Sequence, residues 1–177
     1  HAVIRNREKG SIVLHSFYSS SLPVKARSYL LTHLYGAWAR ESQVDHTLLT
    51  HGSKSIESRK QVRTTHTENP DSESFDENYG EVIAGALAWS GNFRLNFEVD
   101  EFNVLNILAG ANPYASDYTL GAGESFTTPE MIYTYSSEGA GGASRHLHDW
   151  ARNYGVWHGH TYAPTLLNSW EGAYFTF

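Results

Sequence analysis

The chain has 177 residues, 40% of them hydrophobic and 18% charged, with a net charge of −6 and no cysteine. That is long enough for one domain with a real core and too apolar for disorder; the negative balance argues against a nucleic-acid backbone as partner, and no apolar run approaches a membrane span. The lack of Cys excludes a disulfide framework, a zinc–thiolate site and a thiol nucleophile, and favours a cytoplasmic setting.

The start, HAVIRNREKG, has neither a Met nor the apolar stretch of a signal peptide, so the natural N-terminus is expected upstream. AVIRNREKGSIVLHSFYSSSL reads as a short strand, a turn at Glu8-Lys9-Gly10 and a second strand carrying Ile12, Leu14 and Phe17. RSYLLTHLYGAWARE reads as a third strand with Tyr29, Leu31, His33 and Tyr35 on one face. Period-two alternation between Gly- and Ser-rich turns signals an antiparallel sheet. Residues 43–78 are polar, with Pro70 in NPDSES, and only 47–49 and 54–62 suggest short strands. This segment is too poor in apolar residues to supply a core layer, and long irregular segments are commonly functional loops.

Residues 82–90 are almost continuously apolar, the pattern of a strand buried on both faces. The Ser90-Gly91-Asn92 turn leads into FRLNFEV, where Phe93, Leu95, Phe97 and Val99 share a face. Another strand is predicted over 104–108. ESFTTPEMIYTYS then reads as a last strand, whose Pro129 implies an edge or a bulge. GAGGASRHLHDWARNYG carries a helix: Ser144, after a Gly-rich turn, is its expected cap, Leu147, Trp150, Ala151 and Tyr154 form one stripe, and Gly155 is its stop. TLLNSW, residues 165–170, follows as a lone apolar strand, the way an α/β unit begins.

Tyr and Trp, 11 and 5 residues, fill β-sandwich cores and also stack on sugar rings. The ten His raise the question of a metal. His146 and His148 fall on different faces of the helix, and His158 and His160 in WHGH lack a carboxylate or Cys at a recognisable spacing, so no metal site is expected.

Six motifs occur in order: LYGAWARE, SKSIESRK, WSGNF, ANPYASDYTLGAGESFTTPEM, YSSEGAGGASRHLHDWARNY and PTLLNSWEGAYF. Together they resemble the N-terminal region of the α-galactosidases of glycoside hydrolase family 36 over essentially the whole chain. The resemblance implies a mainly β fold. A galactose-mutarotase-like β-supersandwich would cover 1–140, with its N-terminal part outside this sequence. A linker helix over 141–160 would lead to the start of a (β/α)8 barrel over 161–177. Residues 165–170 would be the first barrel strand, the rest of the barrel lying beyond this chain.

The same resemblance implies retaining hydrolysis of terminal α-galactosides. Retention takes two carboxylates roughly 5–5.5 Å apart, and the family carries both as Asp on later barrel strands. No residue of this chain is therefore expected to be catalytic. Trp170, matching the family's NNWEA strand, would wall the galactose pocket at the barrel mouth, while Glu171 would be a structural carboxylate. Ser169 and Gly172 stand where relatives often have Asn and Ala. Arg59 and His66 are the second set of substrate-binding candidates. The family's SSHQHNPF is matched here in part by RTTHTENPDS, without its second His and its Phe. An α-galactoside oligosaccharide and a homo-oligomer, a tetramer in the family, are the implied partners; no cofactor, nucleic acid or membrane is implied. The alternatives are a stand-alone carbohydrate-binding β-sandwich, or a transglycosylase or α-N-acetylgalactosaminidase relative.

Overall fold

The computed structural model describes residues 1–37, 40–58, 78–114, 117–155 and 165–174. Val3–Arg5 (β1) and Ile12–Leu14 (β2) form on either side of the expected turn. Asn6, 1% exposed, organises that turn: Nδ2 donates to the carbonyls of Gly10, Leu120 and Gly121, and Oδ1 accepts from the Glu8 amide at 2.9 Å. Phe17 falls outside β2 and packs edge-on against Phe126, with centroids 4.9 Å apart. Ser20–Lys25 (β3) is a strand that the pattern did not predict, because Pro23 argues against one. It is an edge strand, where a missing N–H is tolerated.

Tyr29–Ala37 (β4) and Arg40–Leu49 (β5) form an antiparallel hairpin. The predicted face holds through Tyr29, Leu31 and His33, all buried, and ends at the exposed Tyr35. The polar stretch after Gln43 was expected to hold short strands over 47–49 and 54–62 but no core layer; strands form at both places, and the structure corrects the second part of that reading. Its beginning completes β5, and Gly52–Glu57 (β6) is an edge strand of the central sheet. A strand needs apolar residues only at alternate positions, and an edge strand needs few: Leu49 and Ile56 meet the core while Leu48 and residues 52–55 face water.

Val82–Ala88 (β7), Phe93–Val99 (β8) and Val104–Ala111 (β9) follow as expected, with β9 longer than predicted. Tyr118–Leu120 (β10) was not foreseen. The predicted ESFTTPEMIYTYS strand divides at Pro129 into Ser125–Thr127 (β11), paired with β1, and Glu130–Ser136 (β12), paired with β7. Proline has no N–H for a ladder, so the chain changes partner there. Thr128 fastens the switch, its amide donating to Ala2 O at 2.9 Å and its Oγ1 accepting from the Ala2 amide at 2.8 Å.

The central sheet runs β3-β9-β8-β6, all antiparallel. One face carries Phe93, Leu95, Phe97, Val99, Leu105, Ile107 and Ala109 against Tyr29, Leu31 and Leu49 of the hairpin, with Leu87 and Met131 of the β7–β12 pair joining them. Each large apolar side chain buried there contributes about 1.5–3 kcal/mol. The layers make a sandwich.

Gly139–Trp150 (α1) starts before Ser144, which is therefore inside the helix rather than its cap. The small residues Gly139, Ala140, Gly142 and Ala143 are buried. They are a close-packing face, not a turn, because a Cβ at Gly142 would overlap Ser136 Oγ. The helix continues past Trp150 as a wider π turn over Ala151–Gly155. Two compact units result, His1–Ser144 and Arg145–Phe177. In the second unit the predicted apolar stripe is open to water at Trp150 and Tyr154.

Thr165–Trp170 is not a strand in this structure. Residues 165–168 carry no ladder, and Ser169–Ala173 (α2) is a short helix. A strand needs a neighbour for its backbone groups, and no described residue pairs with it. Among the described residues, no helix is long and apolar enough to cross a membrane.

Candidate functional site

Of the sequence-predicted site residues, Arg59 and His66 lie outside the described residues, as do His158 and His160. The strand end that leads to Arg59 is described and firmly held. The Ser58 amide donates to Phe93 O at 2.9 Å, and Ser58 O accepts from Asn112 Nδ2 at 3.1 Å. Glu57 Oε2 pairs with Arg94 through Nη2 at 3.0 Å and Nε at 3.1 Å.

Trp170 sits in the first turn of α2. Its amide donates to the capping Asn168 Oδ1 at 3.0 Å, and its ring meets Tyr174 edge-on with centroids 6.0 Å apart. Trp170 is 55% exposed and Tyr174 78%, with Leu166 and Leu167 exposed beside them in sequence. Two largely exposed aromatic rings set at 66° offer an apolar surface of the kind that stacks on the C–H face of a sugar ring.

A second constellation was not singled out as a site from sequence. Asn112, 4% exposed, ties together three pieces of backbone. Its amide donates to Asn92 O at 2.9 Å, its Nδ2 reaches Glu57 Oε2 at 3.2 Å as well as Ser58 O, and its Oδ1 accepts from the Tyr114 amide at 3.0 Å. Asn92 O also accepts from Trp89 Nε1 at 3.1 Å. Trp89 and Tyr114, 45% and 55% exposed, are thus both linked to Asn112, Trp89 through the Asn92 carbonyl shared with the Asn112 backbone N–H and Tyr114 through the Asn112 side chain, which also binds Glu57 of the Glu57–Arg94 pair. The signal was available: both rings stand in turn chemistry, Trp-Ser-Gly-Asn and Asn-Pro-Tyr, where a connection keeps a side chain at the surface.

Other ionisable groups serve the fold. Asp117 pairs with His15 at 2.9 Å and Asp45 with His33 at 3.5 Å, while Asp100 and Glu124 accept turn amides. Tyr135 is held above the usual phenol range by its 2.6 Å hydrogen bond to Glu81, and Tyr133 is raised by burial, so both stay protonated near neutrality. Among the described residues, no three His, Cys, Asp or Glu side chains converge as metal ligands.

Comparison with known proteins gives a consistent set of likenesses. Residues 1–121 match the family model of the glycosyl hydrolase family 36 N-terminal domain, and residues 125–177 match the melibiase model. The chain is 35% identical over 166 residues to the α-galactosidase AgaA of Geobacillus stearothermophilus, covering 90% of this chain and 22% of that protein. It is 33% identical over 180 residues to the bifunctional α-galactosidase/sucrose kinase AgaSK of Mediterraneibacter gnavus, covering 98% and 19%. A crystal structure of an AgaA variant in complex with stachyose superposes with a TM-score of 0.82 at 32% identity, over 99% of this chain and 25% of that one. The chain thus spans about a fifth to a quarter of the relatives it matches.

Proposed function

The chain belongs to glycoside hydrolase family 36, with that family's N-terminal domain in residues 1–121, and from this premise we propose that it is the non-catalytic sandwich portion of a retaining α-galactosidase acting on terminal α-galactosides of oligosaccharides. The observation that carries the reading is the succession of the two family matches, N-terminal domain then melibiase, along one continuous chain. Relatives crystallised with stachyose and raffinose support the substrate class. In this reading the sandwich extends to residue 140, 141–160 is a linker helix, and 161–177 opens the barrel. Trp170 forms one wall of the galactose pocket, Arg59 and His66 line its entrance, and the enzyme is a homo-oligomer.

The catalytic carboxylates of such an enzyme come from barrel strands, so the 177-residue chain alone turns over no aryl α-galactoside. In the enzyme that carries this chain, Trp170→Ala raises KM for an α-galactoside several-fold while Tm stays within about 2 °C, because the half-exposed ring contributes little to the core. Unchanged KM and kcat at unchanged Tm would remove Trp170 from the pocket; turnover by the chain alone would refute the non-catalytic reading.

A further inference from the structure

We propose that the corner built on Asn112 is a separate carbohydrate-binding subsite, taking one neutral hexosyl unit of an oligosaccharide on the Trp89 and Tyr114 rings, with Arg94 as a fixed donor to its hydroxyls. For its choice of sugar the proposal rests on the α-galactosidase reading; its geometry does not.

The first observation is two exposed rings attached to an ordered framework. Trp89 is fixed by its Nε1 bond to Asn92 O, and it lies over Gly91, where a Cβ would stand 2.7 Å from Nε1. The Tyr114 backbone is fixed by Asn112 Oδ1 at 3.0 Å. A ring already held in place, as Trp89 is, loses little freedom when a ligand stacks on it. The second observation is the guanidinium. Arg94 Nε and Nη2 both bind Glu57 Oε2, and among the described residues its Nη1 makes no hydrogen bond. The pair locks the orientation of Nη1 as a donor. It also offsets the guanidinium's charge. Apolar rings in the two loops that Asn112 joins, with a pinned donor paired to the Glu57 that Asn112 Nδ2 also holds, suit a polyol with one C–H face and a rim of hydroxyls.

The probe is stachyose, and the readout is the ¹⁵N–¹H spectrum of the five indoles of the unsubstituted chain, each assigned by single replacement. The Trp89 indole shifts saturably on titration. Trp89→Ala and Arg94→Gln each weaken that binding component roughly threefold to tenfold, the size of a stacking contact or one good hydrogen bond. A shift confined to Trp170 overturns the corner; a saturable shift at Trp89 supports it whatever Trp170 does, because in the proposed function the Trp170 pocket belongs to the barrel of the whole enzyme and is tested there by Trp170→Ala. No shift at Trp89, with stachyose on the order of 100 mM, well above the Kd of a weak millimolar site, overturns the corner. Self-association that Trp89→Ala abolishes, with no sugar-induced shift, marks the corner as a protein contact and equally overturns the proposal. Should Trp89→Ala fail to fold, the shift in the unsubstituted chain decides by itself.

Discussion

Replacing Asn112 by aspartate keeps the shape of the side chain and changes one donor into an acceptor. Its Nδ2 lies 3.2 Å from Glu57 Oε2, 3.1 Å from Ser58 O and 3.4 Å from Phe93 O. Three acceptors around one nitrogen fix the amide's orientation, with Oδ1 left for the Tyr114 amide. In Asn112→Asp a carboxylate oxygen faces Glu57 at that distance. Two unit charges so placed repel by about 5 kcal/mol at an effective dielectric near 20, and Arg94, 3.0 Å from the same Glu57 oxygen, offsets much of it. With one or two hydrogen bonds lost at about 1 kcal/mol each, the net cost at neutral pH is about 3 kcal/mol. Asn112→Ala, which loses the bonds without adding charge, costs about 2 kcal/mol. For a chain of this size about 3 kcal/mol lowers Tm by roughly 6–12 °C. Repulsion raises the pKa of the introduced carboxyl in the fold above its unfolded value of about 3.9. The penalty is therefore complete above the raised value and fades as pH falls toward the unfolded one. Urea midpoints near pH 7 and near pH 4.5, each taken as a difference from the unsubstituted chain, should show the Asp gap narrowing with acid and the Ala gap nearly constant. An Asp variant within about 0.5 kcal/mol of the parent, or a gap that ignores pH, would show that this amide does not hold the corner.

Tyr29 is fully buried, and its hydroxyl accepts from the amides of Ala26 at 2.8 Å and Leu105 at 3.3 Å while its single proton serves Val24 O and Asn103 O. Tyr29→Phe therefore costs about 2 kcal/mol in urea denaturation, and a loss below about 0.5 kcal/mol contradicts that accounting. Gly142→Ala gains about 1 kcal/mol in helix propensity, yet it is expected to lower Tm because the new methyl overlaps Ser136 Oγ; a higher Tm refutes the close packing. Burial raises the Tyr133 phenol, against the opposing effect of Ser20 Oγ at 3.1 Å. The folded state thus holds this proton more tightly than the unfolded chain, and stability falls as pH rises above the ordinary phenol value of about 10. Tyr133→Phe should lessen that alkaline loss; an unchanged alkaline limb would unlink the group from stability.

Sheet membership was legible wherever the alternation was strong and central. Phe93, Leu95, Phe97 and Val99 share a buried face because a central strand must satisfy the core along its whole length. It was less legible at edges. β3, which carries a proline, was not predicted, and β6, almost wholly polar, was read only as a short strand over 54–62; both survive because an edge strand is packed on one side and excused part of its ladder. The partner switch at Pro129 was half legible: the residue announced a break, but which strands would receive the two halves depends on distant residues, those of β1 more than a hundred positions away and those of β7 some forty to fifty. The Gly-rich start of α1 read as a turn because local propensity disfavours it as helix; the close approach to Ser136 reverses that preference, and no local pattern records it. The site divides similarly. Trp170 stood out through a motif, whereas the Asn112 corner assembles from residues 57, 89, 92, 94, 112 and 114, contiguous only once β6, β8 and β9 have paired.

The segment TLLNSW shows why a motif and a conformation are separate statements. Three apolar or β-branched residues in a row suit a strand, while Asn168 is a strong helix N-cap. In this structure the cap prevails, and every bond it makes is local. Asn168 Oδ1 takes the Trp170 amide at 3.0 Å, Asn168 O takes the Gly172 amide at 2.9 Å, and Tyr174, in the left-handed region at φ 46°, returns its N–H to Ser169 O. A strand would leave those groups waiting for a neighbour. A five-residue helix has no cooperative reserve, so Asn168→Ala, costing about 1 kcal/mol, should melt α2. The ring-current shift between Trp170 and Tyr174, whose centroids now stand 6.0 Å apart, should then vanish. Where a neighbouring barrel strand supplies the missing partners, as the α-galactosidase reading requires of the whole enzyme, the same asparagine has no cap to make. The substitution should there leave Tm nearly unchanged and alter KM alone. Persistence of the Trp170–Tyr174 contact in Asn168→Ala would mean that something other than the cap selects the helix.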